Sequence, residues 1–278
     1  MLMKSELDMQ PEKVYVLGGD EVVVTKSGKQ THGLGRFFSS LQNQVVSSLC
    51  FINLSLIDVD SRKAYPLITE QLVRKKAQQS APKAETKKKA GKKGRPKGSK
   101  NKNSKDVTLS DFQQQLQGTI RQALKLTESD LKLSYFVYDG ALGNNSSVQM
   151  VAQTGLFAIS KLRHDSCLYF PYTGKYSGRG PHKKYGDKLS MEALSQANLR
   201  AETLDGKLKS RIYQAKVWHK KFSQRLNVVM IVKTNLRTGR TEKVLLFSND
   251  LDLSYDKLID YYSLRFQIEF NFRDAKQY

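Results

Sequence analysis

Three acidic residues carry the chemistry available to this chain. Asp20 follows Gly18-Gly19 and Asp139 precedes Gly140, and each stands at the C-terminal end of a stretch whose pattern predicts a β-strand. On neighbouring strands, two such carboxylates project side by side from the sheet. In the last predicted helix, Tyr262, Arg265, Glu269 and Lys276 follow one another at steps of 3, 4 and 7 residues. At about 100° per residue, that spacing keeps all four within roughly 60° of one face. Glu269 would supply a third carboxylate, while Tyr262, Arg265 and Lys276 would grip phosphates beside it. Three carboxylates together suit two Mg²⁺ ions, with Mn²⁺ able to substitute, because hard cations take oxygen ligands and a pair of them serves displacement at phosphorus. Plainer readings exist for each residue. An Asp beside Gly forms turns, and Arg265 with Glu269 makes an ordinary i,i+4 ion pair with Tyr262 in the core.

The elements that must position these residues can be read from hydrophobic periodicity. Residues 13–17 predict a strand delivering Asp20, followed by 21–25, and 51–59 and 63–67 predict further strands, the first with Asn53 and Ser55 interleaved. Residues 111–126 predict an amphipathic helix bearing Phe112, Leu116, Ile120 and Ala123, with Ser110 as N-cap. A strand over 133–138 leads to Asp139, a helix covers 147–153, and another strand covers 156–161. From 168 onward, alternation predicts an antiparallel sheet of four or five strands. From 254 the chain predicts one helix to the end, with Leu258, Tyr262, Phe266 and Phe270 at i+4 steps.

Composition narrows the class of protein. The 278 residues, 39% hydrophobic, can bury a large core, and 47 Lys and Arg against 26 Asp and Glu leave a net charge of +21, which points to a polyanionic partner. Residues 74–105 hold 14 Lys and Arg against the single Glu85, a net +13. That segment has almost nothing apolar and is expected to be a flexible insert. Two cysteines and four scattered histidines argue against a disulfide framework or a zinc enzyme. No apolar run has the length of a membrane span, and Glu6 and Asp8 break any signal-peptide pattern, so a cytoplasmic, nucleoid-associated protein is expected.

The spacing of Tyr262, Arg265, Glu269 and Lys276 resembles the signature of the DDE transposases of the insertion-sequence family four type, matching it at every position. Around Asp20, Lys26-Ser-Gly-Lys29, Thr31-His-Gly-Leu-Gly-Arg36 and Phe37-Phe-Ser-Ser40 resemble that family's first catalytic block. Asp139-Gly-Ala-Leu-Gly-Asn-Asn145 and Gly155-Leu-Phe-Ala-Ile-Ser-Lys-Leu-Arg163 resemble its second. The resemblance spans most of residues 13–276. It implies an α/β fold, an RNase H-like catalytic core with a β-rich insertion between Asp139 and Glu269, plus the disordered basic insert. Along the chain this gives core at 12–73, basic insert at 74–105, core at 106–167, β-rich insertion at 168–250 and catalytic helix at 251–278. It further implies Asp20, Asp139 and Glu269 as catalytic metal ligands, strand cleavage at transposon ends with strand transfer through hairpin ends, and a synaptic homodimer on double-stranded DNA. Nineteen residues precede Asp20 and two follow Lys276, where the family carries an end-binding helical domain and a C-terminal segment. A fragment holding the core is therefore expected.

Inside the basic insert, Lys93-Gly-Arg-Pro-Lys97 resembles an AT-hook: Gly94 permits close approach, Pro96 fixes φ, Arg95 enters a narrow A·T minor groove, and Lys93 and Lys97 meet phosphates. The other reading of the segment is a solvated linker that clings to DNA nonspecifically; the rival to the transposase reading is a catalytically inactive remnant that binds the minor groove through Lys93 to Lys97. Arg179, Lys183 and Lys184 form a smaller cluster suited to a DNA backbone or to a wet loop. Trp218, the sole tryptophan, is either core or, as the resemblance implies, a platform on which a flipped base stacks.

Overall fold

The computed structural model describes residues 13–28, 30–39, 42–73, 104–127, 131–176, 178, 180–190, 193–194 and 196–275. The AT-hook residues Lys93, Gly94, Arg95, Pro96 and Lys97 lie outside the described residues, as do Arg179 and Lys276, and so does the predicted flexible insert apart from its last two positions.

Four strands precede that insert: β1 (Tyr15–Thr25), β2 (Gly35–Ser39), β3 (Gln44–Asp58) and β4 (Lys63–Gln71). The sequence predicts β1 as two pieces flanking Gly18-Gly19-Asp20, but it is one strand, paired with β3 without interruption from Tyr15↔Asp58 to Thr25↔Ser48. Both glycines are gripped rather than loose. A Cβ on Gly18 would lie 2.5 Å from Ile57 Cδ1, and one on Gly19 would lie 2.8 Å from the Tyr138 ring. Asp20 accordingly sits within the strand, not at its end. Strand β2 escapes the sequence reading because only five residues carry its alternation, with Phe37 buried and Phe38 exposed.

After the insert come α1 (Asp111–Thr127), β5 (Tyr135–Val137), a 3₁₀ turn (Gly140–Leu142), α2 (Asn145–Ala152) and β6 (Phe157–Leu162). Ser110 caps α1 as expected. Its Oγ accepts from the Gln113 amide at 3.3 Å, and Gln113 Oε1 accepts from the Ser110 amide at 3.0 Å, a reciprocal capping box. Six more strands follow, one beyond the upper sequence-based count: β7 (Leu168–Pro171), β8 (Tyr185–Lys188), β9 (Leu199–Asp205), β10 (Leu208–His219), β11 (Arg225–Asn235) and β12 (Thr241–Ser248).

All twelve described strands join one mixed sheet, ordered β2-β3-β1-β5-β6-β12-β11-β10-β7-β8, with β4 on β3 and β9 on β10. Strand β1 runs antiparallel to β3 and parallel to β5, and β5 runs parallel to β6. Such a mixed α/β arrangement is consistent with an RNase H-like core. Leu17, Ile52, Leu54 and Phe136 pack on one face with Leu116 and Ile120 of α1 and Val148 and Met150 of α2. Val16, Ile57, Val137 and Ile159 pack on the other with the C-terminal helices. Burial on both faces explains the long apolar runs in these strands.

The single C-terminal helix predicted from 254 is two: α3 (Tyr255–Leu264) and α4 (Gln267–Ala275). At the junction the amides of Arg265, Phe266, Ile268 and Glu269 each bond three residues back instead of four. The buried stripe also differs from the predicted one. Leu258, Tyr261, Leu264 and Ile268 face the sheet, whereas Phe266 and Phe270 are exposed. The apolar spacing is ambiguous because two overlapping i+4 series occur, and the break selects between them. Among the described residues, no helix is long and apolar enough to cross a membrane.

Candidate active site

The sheet brings the first two acids together. In the parallel pairing Leu17 faces Phe136 and Gly18 faces Val137, and continuing that register by two residues brings Asp20, inside β1, level with Asp139, just past the end of β5. By alternation both share the face of Gly18 and Val137, which the C-terminal helices cover. Asp139 also does the plainer job anticipated for it. Its Oδ1 accepts from the Ala141 amide at 2.8 Å as the N-cap of the 3₁₀ turn, while Ser160 Oγ donates to its backbone carbonyl. Turn former and candidate ligand are one residue, because the capping bond engages only one of the carboxylate's oxygens.

Asp20 is tied at both oxygens. Oδ1 accepts from the Glu21 amide at 3.0 Å, and Oδ2 accepts from Arg265 Nη1 at 3.0 Å. The two side chains are 17% and 10% exposed, so this is a largely desolvated ion pair. Burial pushes the Asp20 carboxyl up; the Arg265 charge and the Glu21 amide draw it down, and the Asp139 and Glu269 charges add to the rise. Those last effects place Asp139 and Glu269 each within electrostatic reach of Asp20. Burial likewise raises the Tyr262 phenol, against the pull of Arg265 beside it.

Glu269 is only partly gathered in. Its side chain is 57% exposed, and Oε1 lies 3.9 Å from Arg265 Nη2. Among the described residues no three of the His, Cys, Asp and Glu side chains stand close enough to hold a metal ion. Asp20 and Asp139 fit a divalent cation by position and by their hard oxygen donors; Glu269 does not complete the set in this arrangement.

Sequence reasoning passed over two features of the site. Glu21 projects to the opposite face from Asp20, where the Tyr138 hydroxyl donates to its Oε1 at 2.7 Å and Cys50 Sγ lies 3.9 Å from Oε2. It borders a cleft of about 790 Å³ also lined by Phe37, Leu72, Phe112 and Gln115. Asn53, paired with Asp20 across β1 and β3, heads a polar chain under α4: Asn53 Nδ2 donates to Thr69 Oγ1 at 2.8 Å, Ser55 Oγ to Asn53 Oδ1 at 2.6 Å, and Asn271 Nδ2 to Ser55 Oγ at 3.2 Å. The signal was present, since Asn53 and Ser55 interrupt the otherwise apolar run from Leu49 to Ile57.

The remaining described candidates lie far along the sheet, Lys183 and Lys184 just before β8 and Trp218 on β10. Lys184 Nζ is 5.4 Å from the Trp218 ring centroid, and Lys183 Nζ is 5.4 Å from that of Tyr172. Trp218 is half-buried, paired with Tyr169 across the strands and edge-on to Tyr185 at 6.3 Å. Cations and aromatic faces thus alternate on one end of the sheet.

A search of curated proteins finds none that matches this chain. A family model described as DDE superfamily endonuclease matches residues 2–225, which take in Asp20, Asp139, Lys183, Lys184 and Trp218 and stop short of Glu269. With Asp20 on one central strand, Asp139 just past the end of the next, and the family model covering most of the chain, one conclusion follows: this protein belongs to the DDE superfamily endonucleases.

Proposed function

We propose that the chain is the catalytic core of a cut-and-paste DNA transposase of the insertion-sequence family four type. The observation that carries the reading is the placement of Asp20 within β1 and Asp139 just past the end of the parallel neighbour β5, with Arg265 from the helix junction and Glu269 from the last helix brought alongside. Asp20 and Asp139 are the residues that would hold Mg²⁺, or Mn²⁺ in its stead, with Glu269 as the third ligand. When bound, such ions neutralise charge at phosphorus and make water a better nucleophile at neutral pH.

The chain's own residues supply the rest. Tyr262, Arg265 and Lys276 orient phosphates of the element end beside the carboxylates, and Lys183, Lys184 and Arg179 track the backbone of the same duplex. Trp218 offers a ring on which an unpaired base of a hairpin end stacks. Lys93, Gly94, Arg95, Pro96 and Lys97 add minor-groove contacts, and two copies assemble on paired ends. The reaction is hydrolysis of one strand at each end, followed by attack of the freed 3′-hydroxyl on a phosphodiester of the opposite strand, where a new P–O bond forms as the existing one breaks and the displaced strand leaves with its own 3′-hydroxyl. A net charge of +21 supports the polyanionic substrate.

The test is cleavage of end-bearing duplex. Asp20→Asn, Asp139→Asn and Glu269→Gln should each lower the cleavage rate by at least about a thousandfold, the scale of losing a principal electrostatic catalyst, while a mobility-shift assay shows DNA binding retained. Cleavage at wild-type rate in any of the three removes that residue from the site.

A further inference from the structure

Arg265 stands where a phosphate-gripping residue is not expected to stand. A guanidinium that contacts DNA should reach solvent, yet the Arg265 side chain is 10% exposed and its Nη1 donates to Asp20 at 3.0 Å. Its Nη2 lies 3.9 Å from Glu269, so one cation stands between two of the three acids. The plane of the group lies over the Phe266 ring at 4.7 Å. Its Nε is buried and has no hydrogen-bond partner among the described residues. A buried N–H without a partner is unfavourable, so this geometry satisfies the ion pair and leaves Nε unsatisfied.

The backbone at this point is equally particular. Arg265 occupies the junction of α3 and α4, where the amides of Arg265, Phe266, Ile268 and Glu269 bond three residues back. A 3₁₀ turn advances roughly 20° per residue more than an α-helix, so the break rotates Glu269 off the face it would share with Arg265 in a continuous helix. The same break therefore seats Arg265 on Asp20 and leaves Glu269 largely in solvent.

We propose that Arg265 is a built-in competitor for the Asp20 carboxylate: it fills the cation position beside Asp20, and a divalent ion must displace it before Glu269 can join Asp20 and Asp139. This rests on the reading of those acids as ligands and adds a control to it. Arg265 is here a positioning residue. Displaced from Asp20, it becomes free to meet a phosphate, so ion loading and DNA docking favour each other through one side chain.

The experiment reads ion binding rather than turnover, using full-length protein and Mn²⁺ followed by the electron paramagnetic resonance signal of the free ion. Arg265→Gln should bind Mn²⁺ about tenfold more tightly than wild type, the effect of removing about 1.4 kcal/mol of competition. Arg265→Lys, which keeps the charge, should stay near wild type, and Asp20→Asn added to Arg265→Gln should abolish the gain. Equal or weaker binding by Arg265→Gln overturns the proposal while leaving the endonuclease reading in place. If no protein shows Mn²⁺ binding that depends on Asp20, both fall together. Should Arg265→Gln fail to fold, nitrogen-15 spectra of the wild-type Arg265 guanidinium decide the matter. Saturating Mg²⁺ must release its hindered rotation, and a guanidinium still locked at saturation overturns the proposal.

Discussion

Gly18 and Gly19 show how the smallest side chains set the position of the most reactive one. A Cβ on Gly18 would stand 2.5 Å from Ile57 Cδ1 and 2.8 Å from Ile268 Cδ1, so hydrogen at that position lets α4 lie directly on β1. Both obstructing atoms end flexible side chains, but Ile57 and Ile268 are fully buried and have nowhere to go. Gly18→Ala should therefore destabilise the protein by about 1–3 kcal/mol through overpacking, measured as a lower midpoint in denaturant. If stability is unchanged, α4 does not press on β1 as described. From sequence, the pair reads as a turn before Asp20, because glycine is the usual sign of one. Its actual use, admitting a helix on one face and aromatic rings on the other, depends on partners 39 to 250 residues away.

At the scale of elements, local signals were faithful where an element's end is made by its own residues. Ser110 announces the start of α1, and the structure adds Gln113 as the second half of a capping box. Ser110→Ala should cost about 1 kcal/mol, visible in thermal melts, whereas Ser110→Asp should restore most of it. Gln113 then serves a second purpose, donating through Nε2 to Ser147 Oγ at 3.0 Å and so joining α1 to α2. The C-terminal helix was less legible. Its residues fit two apolar stripes equally well, and the choice fell to the sheet, which takes Leu258, Tyr261, Leu264 and Ile268. Outside the helix, Arg62 anchors this segment through Asp260 at 2.7 Å and Ser263 at 3.1 Å, a contact across about 200 residues that no local pattern signals.

For the molecule as a whole, two phenols record how the helices and sheet close on each other. Tyr135 donates to Asp250 at 2.7 Å between β5 and the end of β12, and burial with that carboxylate raises its ionisation well above the ordinary 10.0. Tyr138, fully buried and donating to Glu21, is also raised, burial again being the first cause. A raised phenol keeps its proton in the folded protein after the unfolded chain has lost it. Its contribution to stability is therefore complete below about pH 10 and declines as pH climbs from there toward the folded value. Denaturant midpoints measured from pH 9 upward should fall with pH, and Tyr135→Phe should lessen that slope while lowering stability by about 1 kcal/mol at pH 8. An unaltered alkaline slope in the variant would show that Tyr135 titrates normally.

The amino-acid sequence determined the types of element, the basic character, and the candidate reactive groups, down to the spacing of Tyr262, Arg265, Glu269 and Lys276. These are local properties, fixed by alternation, capping and the chemistry of single side chains. Tertiary structure decided that Asp20 lies within a strand, that it stands level with Asp139, and that the last helix breaks at Arg265. Above all it decided that the cation on Asp20 comes from 245 positions further along the chain. Strand register and helix docking are settled by packing over the whole sheet, where a shift of one residue exchanges the two faces of a strand, and no short stretch of sequence carries that information.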